Sequence, residues 1–100
     1  MRKEDIIKLI KDNKMKLKRF GVKKIGIFGS AARDELKENS DIDIVIEFEE
    51  DRGGLKDFGE LSEFLENLFR KKVDILTPWG IKSIRIKSVK EKIEKEIEYV

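Results

Sequence analysis

Residues 29–43, Gly-Ser-Ala-Ala-Arg-Asp-Glu-Leu-Lys-Glu-Asn-Ser-Asp-Ile-Asp, constrain this chain more than any other stretch. An apolar run, Val22–Phe28, leads into Gly29-Ser30, and a second begins at Asp41. Side chains alternate across a strand, so Asp41 and Asp43 share one face. Carboxylates at two successive same-face positions of an apolar strand call for a cation beside them. The stretch therefore predicts a Gly-Ser phosphate grip facing a carboxylate pair that holds a divalent metal ion.

The flanking sequence predicts how that stretch is held. Residues 3–18 read as a basic amphipathic helix with Ile6, Ile7, Ile10 and Leu17 on or near one face. Phe20-Gly21 ends it, because glycine accepts the left-handed conformation past a helix C-terminus. Val22–Phe28 reads as a strand with Ile25 and Ile27 on one face and Gly26 leaving space on the other. Ala31–Leu36 reads as a short helix with Ser30 as its N-cap, its first N–H groups free to meet an anion.

Asp41–Phe48 reads as a second strand, with Ile42, Ile44, Ile46 and Phe48 buried and both aspartates facing the other way. A polar loop, 49–54, precedes a helix over Asp57–Arg70, opened by Asp57 and Glu60 in the manner of a capping box. Val73–Leu76 is a third strand with Asp74 opposite its core face. Thr77-Pro78-Trp79-Gly80 is a turn in which Trp79 is expected as a buried anchor; the other reading puts it at a nucleotide or partner edge. Residues 81–87 are ambiguous between helix and extended chain. Ser88 to Glu91 reads as a capping box for a last helix, with Val89, Ile93 and Ile97 inward. The apolar faces of the helices at 57–70 and 88–98 are expected to be core. Tyr99-Val100 either frays or adds a strand end.

Composition removes most other chemistries. The chain has no Cys and no His. That excludes disulfides, thiol chemistry, a Cys/His zinc site and a histidine general base. Acid–base and metal work falls to carboxylates, Lys, Tyr99 or water. One hundred residues predict a single domain, 1–100, with one core. Charged residues make up 44% of the chain, a density that fits hyperthermophile proteins or a highly soluble mesophilic one. The net charge of +2 is too small to argue for nucleic acid. Bases dominate the first 24 residues and acids the span from Asp34 to Glu66; the basic run reads first as a solvated helix face. No apolar run reaches the roughly 18 residues of a membrane helix. No apolar signal core opens the chain, so the expected location is the cytoplasm.

Asp74 joins Asp41 and Asp43 if its strand neighbours theirs. Clustered carboxylates raise one another's pKa, and a cation reverses that cost. Oxygen donors without His or Cys suit Mg²⁺ or Mn²⁺ rather than zinc. Arg33, one helical turn beyond Ser30, carries a planar fork that suits phosphate; the alternative is surface pairing with Asp34, Glu35 or Glu38. Each feature alone has a bland reading: Gly-Ser is a common turn, and Asp-x-Asp is common edge decoration. Their order within a strand–turn–helix–strand context selects the functional one.

Gly29-Ser30, ten residues, then Asp41-x-Asp43, with Ala32-Arg33 between and Ser40 before the pair, resembles the nucleotidyltransferase signature of the DNA polymerase β-like superfamily. At this length the whole chain resembles the minimal nucleotidyltransferases (MNT proteins), antitoxin partners of HEPN-domain toxins. The resemblance implies an α/β fold of the α+β type, a small mixed sheet flanked by helices. It implies two Mg²⁺ ions held by Asp41, Asp43 and Asp74, with Asp41 and Asp43 catalytic. It implies Gly29 and Ser30, with Arg33, on the triphosphate of ATP. The implied reaction moves AMP to a tyrosine of the HEPN toxin and releases pyrophosphate. The acceptor would be held by that partner in a hetero-oligomer. One departure is Asp34, where many members carry Gly, which adds negative charge near the phosphates. Two other readings are a non-catalytic antitoxin acting by contact, and a nucleotidyltransferase whose partner subunit holds a small-molecule or nucleic-acid acceptor.

Overall fold

Ile42, Ile44 and Ile46 alternate with Asp43, Val45 and Glu47 in the central strand of the molecule, and all three isoleucines are fully buried. This strand, β2 (Ile42–Phe48), has a neighbour on each side in the computed structural model, which describes all residues Met1–Val100. β1 (Val22–Phe28) pairs with it antiparallel, setting Ile27 opposite Ile44 and Phe28 opposite Asp43. β3 (Val73–Leu76) pairs with it in parallel, setting Asp74 opposite Asp43. β4 (Glu98–Tyr99) adds antiparallel to the outer edge of β1, so Tyr99 forms a strand end. The order is β3-β2-β1-β4, a small mixed sheet flanked by helices, as the family resemblance implies.

The two faces of the sheet are packed unequally. Helices α1 (Lys3–Asp12), α2 (Lys14–Arg19) and α4 (Leu55–Phe69) cover one face. Their Ile6, Ile10, Leu17, Leu61, Leu65 and Phe69 meet the strand isoleucines in the main core. The other face carries a smaller cluster of Phe28, Val45 and Ile81, bordered by Leu76, Ile84, Ile93 and Ile97. Helices α5 (Pro78–Lys82) and α6 (Lys87–Glu96) supply it. Between β1 and β2 lies only one short turn of helix, α3 (Gly29–Ala32). No helix is long and apolar enough to cross a membrane.

Several local expectations are corrected. The first helix breaks at Asn13, whose backbone leaves the helical region (φ −114°, ψ 17°) while its amide donates to the Leu9 carbonyl at 2.8 Å. Competition of an Asn side chain for backbone groups is the local cause. The helix after Ser30 starts at Gly29 and ends at Ala32, so Ser30 lies inside it rather than capping it. α4 begins two residues before Asp57. The Asp57 carboxylate instead ties the 49–54 loop to the helix, accepting from Arg52 Nε and Nη2 at 2.8 Å each and from Gly53 N at 3.0 Å. The Arg52 hydrogen bond, then that of Gly53, holds its carboxyl well below the usual range. α6 begins at Lys87, with no side-chain cap from Ser88. It buries no residue fully, and Val89 is exposed. Residues 78–82 are helical: Thr77 Oγ1 accepts from Gly80 N at 3.1 Å, and Pro78 opens the first turn. Trp79 is 77% exposed and anchors nothing inside the molecule.

Gly26 is where β4 comes close. A Cβ there would lie 2.9 Å from the Glu98 carbonyl oxygen and 3.1 Å from both Val45 and Tyr99. Overpacking of this kind costs about 1–3 kcal/mol. Gly26→Val should lower the urea midpoint accordingly. It should also cost the Val100 amide, which donates to Ile25 O at 2.9 Å, its hydrogen-exchange protection. Unchanged protection would show that β4 tolerates the side chain.

Candidate active site

The carboxylates gather because of strand register. In β2 the face opposite Ile42 and Ile44 carries Asp43 and Val45. Parallel pairing places Asp74 directly beside Asp43, one strand spacing of about 4.8 Å away. Asp41 stands immediately before β2 and is exposed. Asp43 is half-buried and Asp74 exposed. Asp43 and Asp74 thus stand side by side on the face of the smaller cluster, with Asp41 just before the strand at the same end of the sheet.

Gly29 makes room for them. It has a left-handed backbone (φ +62°), which favours glycine. A Cβ at this position would overlap the Asp43 carboxylate. The Gly-Ser turn therefore lies against Asp43 itself. Helix first turns leave N–H groups without intrahelical partners, and no side chain caps those of α3. Ser30 is half-buried beside them.

The Asp43 carboxyl is pushed up to about 6. Burial is the leading cause, followed by the charges of Asp74 and Asp41. Arg33 opposes the shift and Glu96 adds to it. The donor set is all carboxylate oxygen, which matches a hard divalent cation. No three acidic side chains are already gathered as ligands around one point.

Arg33 does not pair chiefly with its sequence neighbours. Its Nη1 donates to Glu96 Oε2 at 2.7 Å, while Glu35 lies farther, 3.5 Å from its Nε. Glu96, 63 residues away at the end of α6, has no local sequence signal and was invisible to motif spacing. Asp34 also differs from expectation. It adopts the left-handed region (φ 57°), where the signature's usual Gly would sit freely, and its carboxylate accepts from Lys3 N at 2.9 Å. Its charge is turned to the start of α1 rather than toward a phosphate. Beside Asp41 opens a polar depression of about 360 Å³, rimmed by Glu38, Ser40 and the cations Arg70, Lys71 and Lys72.

A family model described as a nucleotidyltransferase domain matches residues 6–100. The chain belongs to the nucleotidyltransferase domain family. Protein adenylyltransferase MntA of Thermococcus cleftensis is 41% identical over 98 residues, spanning 97% of this chain and 94% of the relative. A structure solved as a candidate minimal nucleotidyltransferase superposes with a TM-score of 0.76 at 30% identity, covering 98% of this chain and 95% of the other. A toxin–antitoxin crystal structure with AMP-PNP shares the fold, with a TM-score of 0.62 at 23% identity, covering 99% of this chain and 72% of that one. This nucleotidyltransferase thus has the minimal fold and enzyme family that its Gly-Ser and Asp-x-Asp spacing resembled.

Asp43 also governs stability against pH. Its carboxyl titrates near 6 in the folded state against an ordinary 3.8. A group whose folded pKa is raised stabilises fully below its unfolded value, and that contribution is lost as pH rises through the folded value. Metal-free protein should therefore lose stability between about pH 4 and pH 6. Urea midpoints in EDTA across pH 4–7 check this, and Asp43→Asn should flatten the decline. An equal slope in the variant would assign it to another group.

Proposed function

We propose that this chain is a Mg²⁺-dependent protein adenylyltransferase that moves AMP from ATP to a tyrosine of a HEPN-type toxin, releasing pyrophosphate and acting as the antitoxin. The observation that carries the reading is the β2–β3 register, which sets Asp43 beside Asp74 while Gly29 lies against the same carboxylate. The name of the 41%-identical relative supports protein adenylylation. The toxin–antitoxin neighbour with AMP-PNP supports the kind of partner and nucleotide through the shared fold alone.

Asp41, Asp43 and Asp74 are the residues that would hold Mg²⁺, with Asp41 and Asp43 catalytic. When bound, Mg²⁺ supplies positive charge against the triphosphate and the acceptor oxygen. Gly29 lets backbone approach a phosphate without a Cβ, and Ser30 brings a hydroxyl and the uncapped N–H groups of α3. Arg33 adds a planar cation within reach of the same turn. Asp74 lies on the sheet's edge strand, open to an acceptor hydroxyl carried by another chain. The acceptor oxygen would attack the α-phosphorus, its proton passing to solvent, as the bond from that phosphorus to the β-phosphate oxygen breaks and pyrophosphate leaves.

The purified chain, incubated with α-phosphate-labelled ATP, Mg²⁺ and a HEPN partner, should label that partner. The Asp41→Asn, Asp43→Asn double variant should lower the rate about a hundredfold or more, matching the several kcal/mol a metal site contributes. Undiminished labelling would overturn the assignment.

Metal binding has its own readout. Mg²⁺ at a hundred times its Kd should stabilise the fold by about 2.7 kcal/mol, seen as a rise in Tm. Asp43→Asn should remove the rise. A wild-type Tm that ignores millimolar Mg²⁺, with and without ATP, would count against the site.

A further inference from the structure

The Arg33–Glu96 pair is unlike most ion pairs of this chain. Its side chains are 38% and 20% exposed, against 76% and 57% for the surface pair of Lys8 with Asp12. Arg33 follows directly on α3, the turn that Gly29 opens, and α6 packs against that turn. The backbone of Glu96 is held on both sides. It is the last residue of α6, and the Ile97 N–H after it donates to Ile93 O at 3.1 Å. Glu98 then registers against Ile27 on β1 and pairs with Lys3 at 2.7 Å. The carboxylate of Glu96 is thereby presented to Arg33 from a fixed point of the scaffold.

Resting on the proposed phosphate role of Arg33, we propose that Glu96 is a positioning residue that holds the Arg33 guanidinium beside the Gly29-Ser30 turn, ready for a nucleotide phosphate. Guanidinium carries five N–H donors in a rigid fork. Glu96 engages Nη1, which leaves Nη2 for a phosphate oxygen. An arginine already held loses less side-chain freedom when it meets its ligand, and that saving appears as affinity. Glu35 is the weaker partner, 3.5 Å from Nε and more exposed than Glu96.

Two effects of removing Glu96 have opposite signs. Taking a negative charge away from a triphosphate site tightens ATP by simple electrostatics. Releasing Arg33 weakens it. The test is titration of the full chain with ATP and Mg²⁺, alongside KM and kcat for partner labelling. Glu96→Ala should weaken ATP binding about two- to tenfold, the range for ordering one long side chain, with KM rising and kcat changing less. Glu96→Gln, which keeps an acceptor for Nη1, should fall between wild type and Glu96→Ala. In an Arg33→Ala background, Glu96→Ala should add no further loss, because residues acting through one contact are non-additive. Unchanged or tighter ATP binding in Glu96→Ala, or a full additional loss in the Arg33→Ala background, would overturn the role of Glu96. Wild-type protein that fails to bind ATP would overturn the nucleotide reading itself, and Glu96 with it.

Discussion

Two carboxylates facing each other across adjacent parallel strands, one of them half-buried, are what the rest of this structure must accommodate. Asp43 and Asp74 repel, and burial makes the repulsion worse. They stay together because neither can leave without breaking the register of β2 with β3. That register is set on the opposite face, where Ile42, Ile44 and Val73 are buried in the main core. A one-residue slip would turn those apolar side chains to the other face. The hydrophobic alternation of β2 thus fixes the electrostatics of its back.

The same constraint explains the residues around the pair. Gly29 is required by its positive φ and because any side chain there would meet the Asp43 carboxylate. Arg33 is the cation that partly offsets the acidic group, and it is shared with a further acid, Glu96. Around Asp43 itself, Arg33 is the one cation that lowers its carboxyl, against Asp74, Asp41 and Glu96, which raise it.

Much of this was legible in the chain. The bounds of β1 and β3 followed from short apolar runs ended by Gly and Thr-Pro, and the turning of Asp43 away from the buried Ile42 and Ile44 followed from the two-residue period; β2 starts one residue later than expected, at Ile42, which leaves Asp41 outside it. The neighbourhood of Asp74 was only conditional, since strand pairing depends on contacts distant in sequence. Helix ends were read less well, for identifiable reasons. Asn13 broke a periodic pattern that looked continuous, and α3 was too short for periodicity to define. Ser88 and Asp57 resembled caps, yet their helices begin at Lys87 and Leu55. Trp79 is exposed although large aromatics favour burial, because α5 turns Ile81 inward instead. Asp34 kept the conformation expected of Gly at its position and disposed of its charge on the Lys3 amide. Glu96 lay beyond any spacing argument, joined to Arg33 only by the folded chain.

The unequal packing of the two sheet faces has a dynamic consequence. Regions with few buried apolar contacts open locally at a smaller free-energy cost than the global transition. The main core, from Ile6 to Phe69, belongs to the face away from the carboxylates. The face that carries them rests on three fully buried residues and on a helix, α6, that buries none. Fluctuations that part the first turns of α6 from the sheet can therefore proceed while α1, α4 and the strand isoleucines stay closed and its far end stays tied to β1 through β4. Access for ligands and persistence of the fold are assigned to opposite sides of one sheet.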